Sequence, residues 1–354
     1  MFSDLPDPRA PNARHRLSDM ILIALAASLC GAQGASDYAQ FARSKRAILE
    51  TVIGPFDPAS HDTFSRVLRL LDPAAFATAF ATFARSFAGA LEGVVAIDGK
   101  AMRRAYEIGG HAWPPIIVSA WAAEARTVLG SLAAGSAGDG EAETAIRLVG
   151  LLALDGATVT ADALHCHRRM ARAIRERGGD YVLALKGNRA GLKRDAEAQL
   201  EAGEADGETA STDEHSHGRL EQRHALVVPA DDMAVRHDFP GLSAIARITS
   251  SRGDDKPQTR LFLLSRTMAA AELLHTVRDH WSIENALHWS LDVTFNEDQS
   301  RARKDNAPAN IAVIGRLAMT ILKNIDDPKT AIRRRVKRCA WEDDYLLNAL
   351  AQMR

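Results

Sequence analysis

Cysteine is scarce in this 354-residue chain: Cys30, Cys166 and Cys339 are the whole complement, odd in number and widely spaced. That excludes a disulfide framework and a cysteine zinc site, and predicts a reducing compartment. An excess of charge of one sign is missing too. Lys and Arg total 44 against 45 Asp and Glu, a net of −1, so no global field draws in polyanions, and nucleic-acid binding must come from local patches. Long apolar runs are also absent. The longest, Met20 to Ala32, has 13 residues, short of the ~20 that cross a bilayer. It follows Arg14, Arg16 and Asp19 and reads as a buried helix rather than a signal peptide. A cytoplasmic protein with no membrane partner is expected. Hydrophobic residues at 46% and charged ones at 25% are ordinary globular values, with length for one large domain or two to three smaller ones.

Residues 1–90 read as helical. Phe64, Val67, Leu68 and Leu71 form one amphipathic face, and Phe76, Phe80, Phe83 and Phe87 follow Asp72-Pro73. This stretch shows no chemistry of its own and suits an accessory or DNA-contacting module. The texture changes near residue 92. Gly93 to Ile97 is a continuous apolar run ending in Asp98-Gly99, as a buried strand does. Further strands are predicted at 116–121, 127–130, 157–161 and 181–185, with helices at 142–152 and 166–177. The mixture implies an α/β domain with a mixed sheet. Residues 195–214 hold eight acidic residues and no basic ones, and read as a solvated linker or loop. The segments 225–228, 244–248 and 260–264 look β-like. Residues 301–338 carry eleven Lys or Arg and three Asp, concentrating positive charge near one end.

Asp98 and Asp162 end two predicted strands, where open α/β sheets gather ligands. Strand-end aspartates are also commonplace turn formers. Two carboxylates brought close there repel unless a cation sits between them, and Mg²⁺ suits hard oxygen donors. The segment from Arg278 to Asp292 adds a third acid. If helical, His280, Glu284 and His288 share one stripe, with Trp281, Asn285, His288 and Asp292 on the next. Asp98, Asp162 and Glu284 would complete an acidic triad for phosphodiester chemistry. Arg301, Arg303 and Lys304 come after it and fit backbone phosphates. A zinc hydrolase built from His280, Glu284 and His288 with His165 or His167 is the outside option.

These residues resemble a family. Ser60-His61-Asp62-Thr63-Phe64, Ala96-Ile97-Asp98-Gly99-Lys100, Thr160-Ala161-Asp162-Ala163 and Tyr181 through Lys186-Gly187-Asn188 carry the likeness. So do His217-Gly218-Arg219, His280-Trp281-Ser282-Ile283-Glu284-Asn285 with Leu287-His288-Trp289, and Arg301 with Arg303. From end to end the chain is similar to the DDE transposases of bacterial insertion sequences, in the ISAs-type branch that includes the H-repeat-associated proteins. The resemblance implies an RNase H-like catalytic core with a β-rich insertion between the second Asp and the Glu. It divides the chain into an N-terminal helical domain (1–90), a catalytic domain (91–325, insertion about 190–268) and a basic C-terminal tail (326–354).

It assigns catalysis and metal binding to Asp98, Asp162 and Glu284, with two Mg²⁺ or Mn²⁺ ions as cofactor. The implied activity is cleavage at element ends, then strand transfer into target DNA by the freed 3′-hydroxyl, from a homodimer on paired ends. Lys100, Arg103, Lys186 and Asn188 are expected at phosphates. Trp281 or His280 is expected beside an end base, though Trp281 and Trp289 also suit core anchors; Asn285 belongs to the same DNA-facing set. Two departures stand out. Related transposases carry Tyr-x2-Arg-x3-Glu-x6-Lys around the Glu, and here those positions hold Val277, His280, Glu284 and Leu291. Where the branch has a Lys-Ser-Asn-Glu-like motif, this chain has Gly138-Asp139-Gly140-Glu141-Ala142-Glu143. The alternatives are a hydrolytic nuclease without strand transfer and a domesticated DNA-binding protein with impaired catalysis.

Overall fold

The computed structural model describes the chain apart from residues 1, 3, 89–92, 107–113, 136–138, 217–218, 254, 328 and 353–354. His217 and Gly218 therefore lie outside the described residues. The first helices are α1 (Leu17–Leu29), α2 (Ala35–Ser44), α3 (Arg46–Ile53), α4 (His61–Leu70) and α5 (Pro73–Ala88). α1 is apolar nearly all round and buried nearly all round, the signature of a core helix. Ser60 starts α4 by accepting a hydrogen bond from the Thr63 amide.

The middle of the chain alternates. β1 (Gly93–Ala101), β2 (Ile116–Ala122) and β3 (Thr127–Ala133) form an antiparallel meander. Then come α6 (Glu141–Gly150), β4 (Ala157–Ala161), α7 (Arg168–Glu176), β5 (Asp180–Leu185) and α8 (Ala190–Ala202). Strands β1, β4 and β5 lie side by side in that order and run parallel. Strands β6 (Glu208–Ser216) and β7 (Arg219–Pro229), the short α9 (Met233–Arg236), β8 (Ala244–Arg252) and β9 (Gln258–Leu264) come next. The chain closes with α10 (Ala270–His280), a π-helical turn (Ile283–His288), α11 (Trp289–Val293), α12 (Ala307–Asn324), α13 (Ile332–Trp341) and α14 (Asp343–Ala351).

Among the described residues the strands make one nine-stranded sheet, β3-β2-β1-β4-β5-β9-β8-β7-β6. Its first five strands have the RNase H-like order and directions. The β-rich insertion is not a separate body: β9 pairs antiparallel with β5, so four more strands lengthen the same sheet. One face is covered by α6, α7 and α8. The other is covered by the N-terminal helices with α12, around Trp121, Phe76, Phe80, Leu317 and Ile321.

Three expectations need correction. Residues 195–214 are not a linker; they contain most of α8 and the start of β6. Leu192, Ala196 and Leu200, four apart, bury α8 against the sheet, while the acids occupy its exposed side. The C-terminal residues are not a tail, since α13 and α14 bury Val336, Cys339, Leu346 and Ala349 in the same core as α1 and α12. Nor is all their charge free. Arg335 turns inward and donates to the carbonyls of Leu322 (2.5 Å) and Ile325 (3.1 Å), capping the C-terminal end of α12. Third, β1 runs past Asp98 to Ala101, so Asp98 lies within a strand, opposite Ser119 of β2.

Candidate active site

Asp98 and Asp162 each come directly after the last aligned pair of two parallel strands, Ile97 and Ala161. In parallel register such residues emerge at one level and on one face. The Asp162 carboxylate is half exposed and accepts from the Leu164 amide at 2.9 Å. Asp98 is mostly buried. Burial pushes its carboxyl up to about 6, and the nearby carboxylates of Glu284, Asp162 and Glu141 push the same way, against a backbone hydrogen bond from Gly99.

Glu284 reaches this place on a segment that is not a plain helix. α10 ends at His280, and Ile283–His288 forms a π-helical turn, a geometry that recurs at functional sites. The single stripe of His280, Glu284 and His288 is thereby broken. Ile283, Leu287 and Leu291 are fully buried and anchor the segment, leaving Glu284 and Asn285 exposed. Three polar ties fix it to the sheet. His280 Nδ1 and Thr160 Oγ1 of β4 are 3.0 Å apart. Trp121 Nε1 of β2 donates to Ser282 Oγ at 2.9 Å. Lys100 Nζ of β1 pairs with Asp292 at 2.8 Å.

The histidines are neutral supports. Burial takes His280 down to about 4 and, helped by Arg316 and Lys100, takes His288 down to about 3. His288 Nδ1 stands 3.7 Å from Asp98 Oδ2, which for a neutral ring is no ion pair. His280 packs inside rather than offering a stacking face. Trp281 and Trp289, by contrast, are not core anchors: they are 36% and 60% exposed. The Arg260 guanidinium lies over Trp281, 5.1 Å from the ring centre.

Lys100, expected at a phosphate, is occupied. Its ammonium is largely buried and pairs with Asp292 and Asp298, both at 2.8 Å, and with Glu297 at 3.8 Å. Replacing it with Met would leave those carboxylates facing one another. Urea denaturation of Lys100→Met should show a loss on the order of 3 kcal/mol; a midpoint equal to wild type would contradict the cage. Arg103 is exposed and pairs with Asp298 at 3.2 Å. Lys186 is exposed, and Asn188 donates to the Ala163 carbonyl at 2.8 Å, bracing the turn after Asp162.

Arg301, Arg303 and Lys304 line a groove of about 870 Å³ with Arg69, between α2, α4 and the segment after α11. Arg301 and Lys304 are exposed, whereas Arg303 donates to the Arg104 carbonyl at 3.1 Å. Sequence reasoning missed two further groups. In the sequence Glu141 stands out only as part of a departure from a motif. Arg316 reads there as part of the basic surface, yet it is fully buried and pairs with Glu297 at 2.5 Å.

Among the described residues, no three His, Cys, Asp or Glu side chains stand close enough together to hold a metal ion as they are, and this holds for the zinc set as well. The donor chemistry nevertheless fits a hard divalent cation. Carboxylates accumulate around Asp98, while the nearby ammonium of Lys100 is engaged elsewhere. The order and directions of the first five strands, with helices on both faces, define an RNase H-like core.

Residues 89–321 match the family described as transposase DDE domain, and residues 1–84 match the DDE_Tnp_1-associated family. The chain belongs to the DDE transposase family of bacterial insertion sequences. It is 29% identical to "H repeat-associated putative transposase YhhI" of Escherichia coli K12, over 99% of this chain and 96% of that protein. It is 31% identical to "Putative transposase YncI" of Escherichia coli O157:H7, over 99% and 93%. A piggyBac transposase from a synaptic complex with hairpin DNA superposes with a TM-score of 0.43 at 12% identity, covering 98% of this chain and 75% of that one.

Proposed function

We propose that this transposase cuts DNA at the ends of its element and joins the freed ends to target DNA, with Asp98, Asp162 and Glu284 as the catalytic acids. The observation that carries this reading is the register that sets Asp98 and Asp162 side by side, each directly after the last aligned pair of two parallel strands, with Glu284 near enough to push the Asp98 carboxyl up. A strand interior, a strand end and a packed helical segment supply them, so the acids are held by the rigid part of the fold. Asp98, Asp162 and Glu284 would hold Mg²⁺ or Mn²⁺. Bound there, such ions activate an attacking oxygen and stabilise the leaving one at phosphorus.

In the first step water attacks the phosphorus, the P–O3′ bond breaks, and a 3′-hydroxyl and a 5′-phosphate result. In the second, that hydroxyl attacks a target phosphodiester and displaces its 3′-oxygen. One phosphodiester forms as one breaks, so no energy source is required. The protein's own part is positioning. Neutral His280 and His288 leave the site's negative charge uncompensated, and exposed Trp281 and Trp289 offer faces on which an end base can stack.

The test is DNA carrying the flanking inverted repeats, incubated with full-length protein and Mg²⁺ or Mn²⁺. Cleavage at the repeat end and then joined product supports transposition. Cleavage without joining leaves the hydrolytic nuclease, and binding without cleavage leaves the domesticated DNA-binding protein. The groove at Arg301 and Lys304 is assigned to the phosphate backbone. Replacing either with Ala should weaken binding to all sequences alike and lower the log–log salt slope by about 1. An unchanged slope would remove the groove from the DNA path.

A further inference from the structure

α6 begins with two acids that behave differently. Glu143 points outward and pairs with Arg169 at 2.7 Å, as an acid in a first helical turn commonly does. Glu141 turns inward. Its carboxylate lies over the backbone of Gly99, the residue after Asp98. A Cβ at Gly99 would collide with Glu141 Oε1 and stand 2.9 Å from Ile116 Cγ2. Glycine at 99 is therefore what lets the carboxylate settle against the strand that carries Asp98.

A second observation is independent of the acids. His165 is fully buried, and neither ring nitrogen has a hydrogen-bond partner. Its Nε2 is aimed between Glu141 Oε1 at 3.6 Å and Asp162 Oδ1 at 3.9 Å. A buried imidazole without partners has given up its water and gained nothing in return. Nε2 faces the space that these two carboxylates share. Drawing the carboxylates together around a cation would bring one of them into hydrogen-bond range of Nε2.

We infer that Glu141 is a fourth carboxylate of the cation-binding set, entering from α6 on the far side of β1 and steadied by His165. The inference rests on the cation-binding role assigned above to Asp98, Asp162 and Glu284. Glu141 adds an oxygen donor beside Gly99, and His165 is a positioning residue that orients Glu141 and Asp162.

The test is Mn²⁺ binding to the full-length protein without DNA, read from the free-ion paramagnetic resonance signal. Wild type is compared with Glu141→Gln, Gly99→Ala and Asp98→Asn. Glu141→Gln keeps the shape of the side chain and removes its charge. Gly99→Ala keeps the charge but displaces the carboxylate, which sits at the end of a flexible side chain and can swing away. Both are expected to bind Mn²⁺ at least tenfold more weakly than wild type, with unchanged circular dichroism. Should Glu141→Gln fail to fold, Gly99→Ala decides. If both bind within twofold of wild type while Asp98→Asn does not, Glu141 is no ligand and the triad reading survives. If wild type takes up no Mn²⁺ at millimolar concentration, the triad reading and this inference fall together.

Discussion

Asp98→Asn is expected to abolish cleavage at element ends while making the metal-free protein more stable. The two effects have one cause. A carboxyl displaced from 3.8 to about 6, chiefly by burial and then by Glu284, Asp162 and Glu141, is penalised when charged in the folded state. The displacement corresponds to roughly 3 kcal/mol. Its sign comes from linkage: a folded-state value above the unfolded one favours folding at low pH. That contribution is present below about pH 4 and is lost as pH rises through about 6. In EDTA at pH 8 the amide variant should therefore melt above wild type, and the gap should close as pH falls below 4. A divalent cation should raise the melting point of wild type and not that of the variant. For turnover, losing one acid of the triad should lower the cleavage rate at least a thousandfold. Melting in EDTA at pH 8 at or below wild type would show that the carboxylates do not crowd Asp98.

Arg316→Met should destabilise the protein by about 3–5 kcal/mol, the usual cost of stranding a buried charge. Arg316 lies on α12 with no exposed surface. Nη1 bonds Glu297 at 2.5 Å, and Nε donates to Ser119 Oγ at 2.9 Å. Without the guanidinium, Glu297 is left buried with Lys100 at 3.8 Å, too far to replace the bond. The double variant Arg316→Met, Glu297→Leu should regain most of the loss, because removing both partners strands no charge. Urea denaturation of the four proteins closes the cycle. Additive losses would mean that the two side chains do not depend on each other. Ser119 sits opposite Asp98, so slack introduced at Arg316 reaches β1 at Asp98 directly.

Most of the sheet, and the place of Asp162 at the end of a strand, are legible in the sequence because apolar runs and strand-end aspartates are local signals. β4 spans 157–161 as expected, and the alternation through β5 places Asp162 at a strand end. The features that escape depend on distant partners. The acids of 195–214 mask the apolar spacing of Leu192, Ala196 and Leu200. A repeat of four residues fits α-helical and π-helical turns alike, so the break after His280 leaves no trace in the pattern. Arg316 and Arg335 look like surface charge until the chain around them is folded. Glu141 offers only an acid near a helix start, a common sight, and its proximity to Asp98 depends on Gly99 having no side chain.

The π-helical turn also bears on how the gene can change. A π-helical turn holds one residue more than the α-helical turn it replaces. A one-codon deletion across 283–288 is therefore expected to close the turn to α geometry and keep the downstream helix in phase, with Leu291 still in its socket. A one-codon insertion finds that slack already used and turns the downstream helix by about 100°. Length drift is thus tolerated here in one direction only, and copies that gain a single codon in this stretch should fall silent with Asp98, Asp162 and Glu284 all still encoded.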